Sequence, residues 1–404
     1  MKEAMFHHFN PDECTACTVC TVHCPVAAAT TRFRGPKMTG PAFERFRLFG
    51  LHDDASVEYC SNCKNCDISC PSGVPVSTFN MLARAAYRKD GKIPLRDLLT
   101  GFSGDIGRLA RHIPAFLLNF GMKNSVSRFL LDAVGLDKRA PLPSFAPLRE
   151  RRRLAGRRPS ADAVGKGDTV ALFPGCFVSY YEPRVGLDII TLLEKAGYGV
   201  IVPKDFVCCG LPLLCGGLME AAQRRAEQNL REVVRLAEQG IAVVSPCPSC
   251  ALMIGREYQA LFPGEIIGSG IAPVHEAAAF ALALVERGRL DISAIRPVTG
   301  RLAYHAPCHL RALGMGRPGF EILRQIPGVR IEDVNAGCCG LAGSYGMKKG
   351  RYEIGAQTGS ALFAAIGETG AGLCVSECGS CRTGITRGTG LPAVHPLSLL
   401  ACAL

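Results

Sequence analysis

The sequence predicts a multidomain chain in which an N-terminal α-helical unit is followed by two duplicated α/β modules. Three observations predict it. Residues 14–25 read CTACTVCTVHCP and residues 60–71 read CSNCKNCDISCP, so the spacing C-x2-C-x2-C-x3-C-P occurs twice. Downstream, the set Cys176, Cys208, Cys209, Cys247 and Cys250 recurs as Cys308, Cys338, Cys339, Cys378 and Cys381, at intervals of 130 to 132 positions. Around those cysteines, short apolar stretches alternate with helix-like patterns, as in parallel α/β layers. Eighteen of the 21 cysteines fall in these four groups, so the groups set the chemistry. The units expected are residues 1–90, a connector over 91–167, and modules over 168–297 and 298–404.

The paired N-terminal runs define the first unit. Three thiolates within seven residues fit three corners of an iron-sulfur cubane, because a curled loop aims its sulfurs to one side while its amides donate to the inorganic sulfides. In the bacterial ferredoxin spacing, the fourth cysteine of each run goes to the neighbouring cluster. One [4Fe-4S] cluster is therefore assigned Cys14, Cys17, Cys20 and Cys70, and a second Cys60, Cys63, Cys66 and Cys24. Pro25 and Pro71 turn the chain away after the last ligand. Structural zinc is the rival, but it draws two cysteines from each of two knuckles rather than three from one loop. Disulfides are the other rival. A chain of 404 residues buries a sizeable core without staples, and MKEAMFHHFNPDEC carries no apolar signal segment, so reduced thiols in a cytosolic compartment are expected.

In the connector, Leu109, Ile113, Phe116, Leu117 and Phe120 keep helical spacing, as do Val126, Phe129, Leu130 and Val134. Arg108, Arg111, Lys123 and Arg128 stand among them, and Pro114 is expected to split the first stretch into two short helices. A cationic amphipathic segment of this kind suits a bilayer interface, core packing or a partner subunit. No stretch reaches the roughly 18 apolar residues of a spanning helix. The basic run RERRRLAGRR at 149–158 reads as a solvated linker. The formal charge of +11 falls to about +7 once two cubanes of about −2 each are counted, and no recognition motif or interleaved aromatics point to nucleic acid.

Each module repeats one order of parts. An apolar strand (TVALFPG at 169–175, RLAYHAP at 301–307) leads to a cysteine, a helix pattern, CCG, a further helix, and an apolar strand delivering C-x-x-C. Sites in parallel α/β layers gather at the carboxyl ends of strands, so the five cysteines of each module are expected on one edge. Adjacent cysteines in a strand would face opposite ways. For Cys208 with Cys209, and Cys338 with Cys339, the backbone must turn, which Gly210 and Gly340 allow. Cys215, Cys374 and Cys402 stand outside the repeat and read as small hydrophobic residues.

The spacings C-x31-CCG-x36-C-x-x-C and C-x29-CCG-x37-C-x-x-C resemble the CCG domain, shared by the B subunit of heterodisulfide reductase and several respiratory iron-sulfur subunits. A dicluster ferredoxin domain followed by two CCG domains further resembles the C-subunit family of anaerobic glycerol-3-phosphate dehydrogenase. The matching segments are CTACTVCTVHCP, GPKMTGP at 35–41, YCSNCKNCDISCPSGV, GCFVSY at 175–180, CCGLPL, YHAPCH at 304–309 and CCGLAGSYGMKK at 338–349. The resemblance implies a flavoprotein dehydrogenase as electron donor, menaquinone as acceptor and a peripheral place on the cytoplasmic face of the inner membrane. It also implies one further iron-sulfur cluster per CCG module. In heterodisulfide reductase such cysteines ligate noncubane four-iron clusters. Relatives include iron-sulfur subunits of glycolate and lactate oxidising systems, which leaves the donor open.

No strand-borne G-x-G-x-x-G, hydrolase elbow or phosphate loop is present; Gly314, Gly316 and Gly319 match the first spacing but read as loop glycines. His305 and His309 bracket Cys308 and suit either proton supply to a quinone or hydrogen bonding to the cysteine loop. His7, His8 and His23 carry no distinguishing spacing. Two other function classes fit the same residues: a thiol-disulfide reductase like heterodisulfide reductase, and a zinc-scaffolded interaction protein.

Overall fold

The structure, a computed structural model, describes residues 10–47, 49, 54–89, 93–155, 157, 168–262, 274–293, 295–298 and 300–404. His7, His8 and the rest of the segment before residue 10 lie outside the described residues, as do residues 156 and 158 of the basic run.

Strands β1 (Thr169–Leu172), β2 (Gly199–Ile201), β3 (Ala242–Ser245) and β4 (Val274–Glu276) form a parallel sheet in the order β2-β1-β3-β4. The second module repeats it with β5 (Gly300–Tyr304), β6 (Val329–Asp333), β7 (Leu373–Val375) and β8 (Ala393–Val394), in the order β6-β5-β7-β8. Helices cover both faces, which is why the central strands read as unbroken apolar runs: Val170, Ala171 and Leu172 are all buried. Strands β4 and β8 have only three and two residues, too few for periodicity to mark in sequence.

In each sheet the chain runs outward from the first strand to the second, then returns past the first to the third. That reversal creates a crevice at the carboxyl ends of β1 and β3, and of β5 and β7. The modules share one apolar core holding Leu172 and Val244 from the first sheet with Leu302, Tyr304 and Val375 from the second. They dock reciprocally. Helix Pro183–Lys195 of the first module packs on Pro396–Ala403 of the second, and Ala277–Glu286 of the first packs on Pro318–Leu323 of the second.

The described elements before β1 are helical, including Pro25–Ala29, Asn65–Ile68 and Val76–Lys89 in the N-terminal part. Pro114 separates helix Ser103–Ala110 from Ala115–Lys123, which Ser125–Ala133 follows. Core packing does not explain the amphipathic stripe: Leu109, Phe116, Phe120, Val126 and Phe129 are exposed, and the last two helices bury none of their residues. The basic run is no free linker either. Residues Leu148–Leu154 form a helix whose buried Arg151 donates to the carbonyls of Ala110 and Ile113. Gly314 and Gly316 do lie in a loop with left-handed φ, but Gly319 belongs to helix Pro318–Leu323, where a side chain would run into Glu377 and Pro396.

Candidate iron-sulfur centres

The two N-terminal loops curl by the same device. Ala16 and Thr18 flank Cys17 in left-handed backbone (φ 59° and 65°), and Asn62 and Lys64 flank Cys63 in the same way (φ 54° and 65°). Non-glycine residues pay about 1–2 kcal/mol each for that conformation, and four such positions matched between two loops mark a shape that the sequence holds for a purpose. The curl folds each run of three thiols inward.

The structure brings Cys14, Cys17, Cys20 and Cys70 together around one pocket, also lined by Lys37 and Val76, with Cys17 exposed. Burial pushes the Cys20 thiol up, and its neighbours Cys14, Cys70 and Cys17 add to the rise. It also brings Cys24 to the other run: the Cys24 thiol is pushed up to about 12 by burial and then by Cys63 and Cys60, while Cys66 is raised by burial, Asp67, Cys63, Cys60 and Cys24. Backbone amides reach the sulfurs, from Ala27 to Cys24 Sγ at 3.5 Å and from Val74 to Cys70 Sγ at 3.3 Å. A buried thiol of this kind stays protonated unless a cation replaces its proton.

In the modules, each cysteine leaves the carboxyl end of a strand. Cys176 follows β1, Cys208 and Cys209 follow β2, and Cys247 and Cys250 follow β3; the second module matches with β5, β6 and β7. Gly210 and Gly340 adopt φ 83° and 74°, the turn that lets both cysteines of a pair face one site. Cys176 and Cys208 sulfurs are 3.9 Å apart and those of Cys339 and Cys381 are 3.3 Å apart. The Cys250 thiol interacts with both Cys209 and Cys247. Cys247 is drawn down to about 6, first by Cys250 and against burial. Cys338 and Cys378 contact Cys339 and Cys381 in the same way, and the Cys308 thiol is pushed up by burial and then by Cys63, Cys339 and Cys378. Among the described residues, no three His, Cys, Asp or Glu side chains are grouped as ligands of a single metal ion.

His305 and His309 stood out in sequence as the flanks of Cys308, but their partners, and the neighbours of Gly104 and Lys64, did not. His309 holds two loops at once: its Nδ1 lies 2.8 Å from Ser249 Oγ and its Nε2 lies 2.9 Å from the Asn62 carbonyl. His305 is buried, its Nε2 has no hydrogen-bond partner among the described residues, and burial pushes it down to about 4. Gly104 of helix Ser103–Ala110 lies against the first module, where an added Cβ would stand 2.7 Å from Cys208 Cβ and 3.4 Å from Cys176 Cβ. Lys64 forms a buried ion pair with Glu257 at 2.7 Å. Cys215 is not isolated, since Asn62 Nδ2 approaches its sulfur at 3.6 Å. Cys374 is buried in β7 and Cys402 is exposed. Between the modules, burial and then the Glu377 carboxylate raise buried Glu276 well above the ordinary range.

A buried charge imbalance tests whether a cluster suits the Cys60 loop. Arg84, Arg88, Lys348 and Arg351 are buried together with the carboxylates of Asp97 and the half-buried Glu58. Arg88 pairs with Asp97 at 2.9 Å, Lys348 with Asp97 at 2.5 Å, and Arg351 with Glu58 at 3.0 Å. Four cations against two carboxylates leave two positive charges in excess. Among the described residues Arg84 forms no ion pair with a carboxylate, and it donates to the carbonyls of Val57, Cys60 and Cys215. Uncompensated buried charge is costly. A four-thiolate cubane of about −2 on Cys60, Cys63, Cys66 and Cys24 would neutralise it, so the residues present fit that group.

Comparison with known proteins agrees with this architecture. Residues 10–74 match the 4Fe-4S dicluster domain, and residues 170–255 and 302–386 each match the Cysteine-rich domain. These define an iron-sulfur protein with a dicluster domain and two cysteine-rich modules. The C subunit of anaerobic glycerol-3-phosphate dehydrogenase from Escherichia coli (strain K12) is 34% identical over 401 residues, covering 97% of this chain and 98% of the relative. The chain belongs to that family, as an iron-sulfur electron-transfer subunit. The B subunit of fumarate reductase (CoM/CoB) from Methanothermobacter marburgensis is 24% identical over 91% of this chain and 66% of its own. Lactate utilization protein A of Geobacillus sp. is 29% identical over 45% of this chain and 76% of its own.

Proposed function

We propose that this chain carries electrons from a flavoprotein dehydrogenase that oxidises glycerol 3-phosphate to menaquinone, from a peripheral position on the cytoplasmic face of the inner membrane. Residues 1–90 hold two [4Fe-4S] clusters through the crossed sets Cys14, Cys17, Cys20, Cys70 and Cys60, Cys63, Cys66, Cys24. The modules at 168–297 and 298–404 each hold one further cluster through their five cysteines. Such clusters supply one-electron carriers. The protein's part is to space the sets, bury them, and direct amides at their sulfurs.

One observation supports this reading above the rest. The helix that places Gly104 against Cys208 and Cys176 is followed, across the break at Pro114, by the exposed apolar pair Ala115–Lys123 and Ser125–Ala133. Asn119 ties that pair down through two hydrogen bonds with the Phe145 backbone, at 3.0 and 2.8 Å, so its apolar side is held outward. No described helix is long and apolar enough to cross a membrane. A lipid surface would place a quinone beside the first module, while the exposed Cys17 loop lies open to a donor. Anaerobic co-purification followed by quinone reduction on anionic vesicles tests the reading. A glycerol 3-phosphate-oxidising flavoprotein should co-purify and drive menaquinone reduction; capture of a different dehydrogenase, or no quinone reduction with dye reduction intact, overturns it.

A further inference from the structure

His309 stands where three cysteine-bearing elements meet. Its own helix, Cys308–Leu313, lies between helix Asn65–Ile68 of the N-terminal part and helix Pro248–Leu252 of the first module. Each neighbour follows or contains a thiol: Cys63 and Cys66 on one side, Cys247 and Cys250 on the other. The ring spans both gaps. A carbonyl only accepts, so Nε2–H donates to Asn62 O at 2.9 Å; Nδ1 is then the acceptor of a hydrogen bond from the Ser249 hydroxyl at 2.8 Å. One tautomer therefore satisfies both contacts. Arg311, two residues further along the same helix, adds a 3.3 Å hydrogen bond to Asn65 Oδ1 on the N-terminal side. The thiol fields agree with this layout, since Cys63 is the foremost thiol acting on Cys308 and also acts on Cys338.

We propose that His309 is a positioning residue at an electron junction: it fixes the Cys63 loop against Cys308 and Cys338 and, through Ser249, fixes the first module's Cys247–Cys250 turn at the same point. This rests on the cysteine sets binding clusters as proposed above. Single electrons pass the junction and no bond is made or broken. The two hydrogen bonds have separable roles. Nε2–H to Asn62 sets the gap between the N-terminal part and the second module; Nδ1 to Ser249 sets the gap to the first module.

The test uses the full-length chain, purified anaerobically with its clusters, and the variants Ser249→Ala, His309→Leu and His309→Gln. Iron and acid-labile sulfide are counted first. Hydrogen exchange of residues 60–66 and 247–250 reports loop holding, and freeze-quenched magnetic resonance after mixing with dithionite reports electron arrival at each module. His309→Leu should keep its iron and sulfide, speed exchange in both loops, and slow arrival at both modules severalfold. His309→Gln, whose amide N–H can reach the Asn62 carbonyl, should recover arrival at the second module alone. Ser249→Ala should slow the first module alone. If His309→Leu loses iron, the Ser249→Ala pattern decides. Arrival rates unchanged in Ser249→Ala, or equal slowing of both modules in all three variants, would overturn the proposal. A wild-type chain with iron in the N-terminal sets only would instead refute the ligand assignment of the modules, and the junction with it.

Discussion

Cys24 is the residue on which crossed ligation turns. It lies ten positions after Cys14 in sequence, yet its thiol is surrounded by Cys63 and Cys60. Cys24→Ser should therefore remove or alter the cluster on Cys60, Cys63 and Cys66 and spare the one on Cys14, Cys17, Cys20 and Cys70, as magnetic resonance of the reduced protein will report; damage confined to the first-run cluster would refute crossing. Asp97 is the second decisive residue. Burial pushes its carboxyl up, but Lys348 and Arg88 outweigh this and hold it at about 2. A carboxylate with a depressed folded value stabilises above its unfolded value of about 3.9, and that contribution is lost as pH falls toward the folded value. Acid unfolding should thus show a step between about pH 4 and pH 2 that Asp97→Asn lacks. The variant should also lose about 3–5 kcal/mol at neutral pH, because Arg88 and Lys348 are left buried without their partner.

At the scale of elements, the connector has a structure that its sequence only half discloses. The apolar spacing and the break at Pro114 could be read directly, because both are local. Which way the stripe faces could not, since that depends on Asn119 meeting Phe145 and Arg151 meeting the ends of two preceding turns. Phe116→Ser with Phe129→Ser removes two large exposed side chains, each worth about 1.5–3 kcal/mol when buried. Affinity for anionic vesicles should fall by about tenfold or more and quinone reduction with it, while dye reduction persists. Unchanged vesicle binding with loss of the flavoprotein would make the helix pair Ala115–Lys123 and Ser125–Ala133 a subunit interface. Gly104→Val should disturb the first module selectively, because the new side chain meets Cys208 and Cys176; spectra unaltered in that module would contradict the close packing. The grouping of the cysteines was legible, since it repeats at fixed spacing along the chain. The Arg84 network and the partners of His309 were not, because they join positions 131, 247 and 60 residues apart and leave no local pattern.

Across the whole molecule, the two modules dock reciprocally and bury the Glu276 and Glu377 carboxyls between their sites, while the Cys60 loop, the connector and the second module close round an excess of positive charge. On this account the clusters complete the electrostatics of the fold as well as its function, so removing iron should loosen the contacts among all three parts together. The duplication was readable from intervals of 130 to 132 residues, whereas the shared core depends on helices that cross from one module to the other and could not be read. The central claim is that both modules, and not only the N-terminal part, carry clusters. Iron and acid-labile sulfide in anaerobically purified full-length chain, measured beside Cys208→Ala and Cys338→Ala, tests this most directly. We predict clearly more than the roughly eight irons of two cubanes, falling separately in each variant; a count that stays at about eight, unmoved by either substitution, would contradict it.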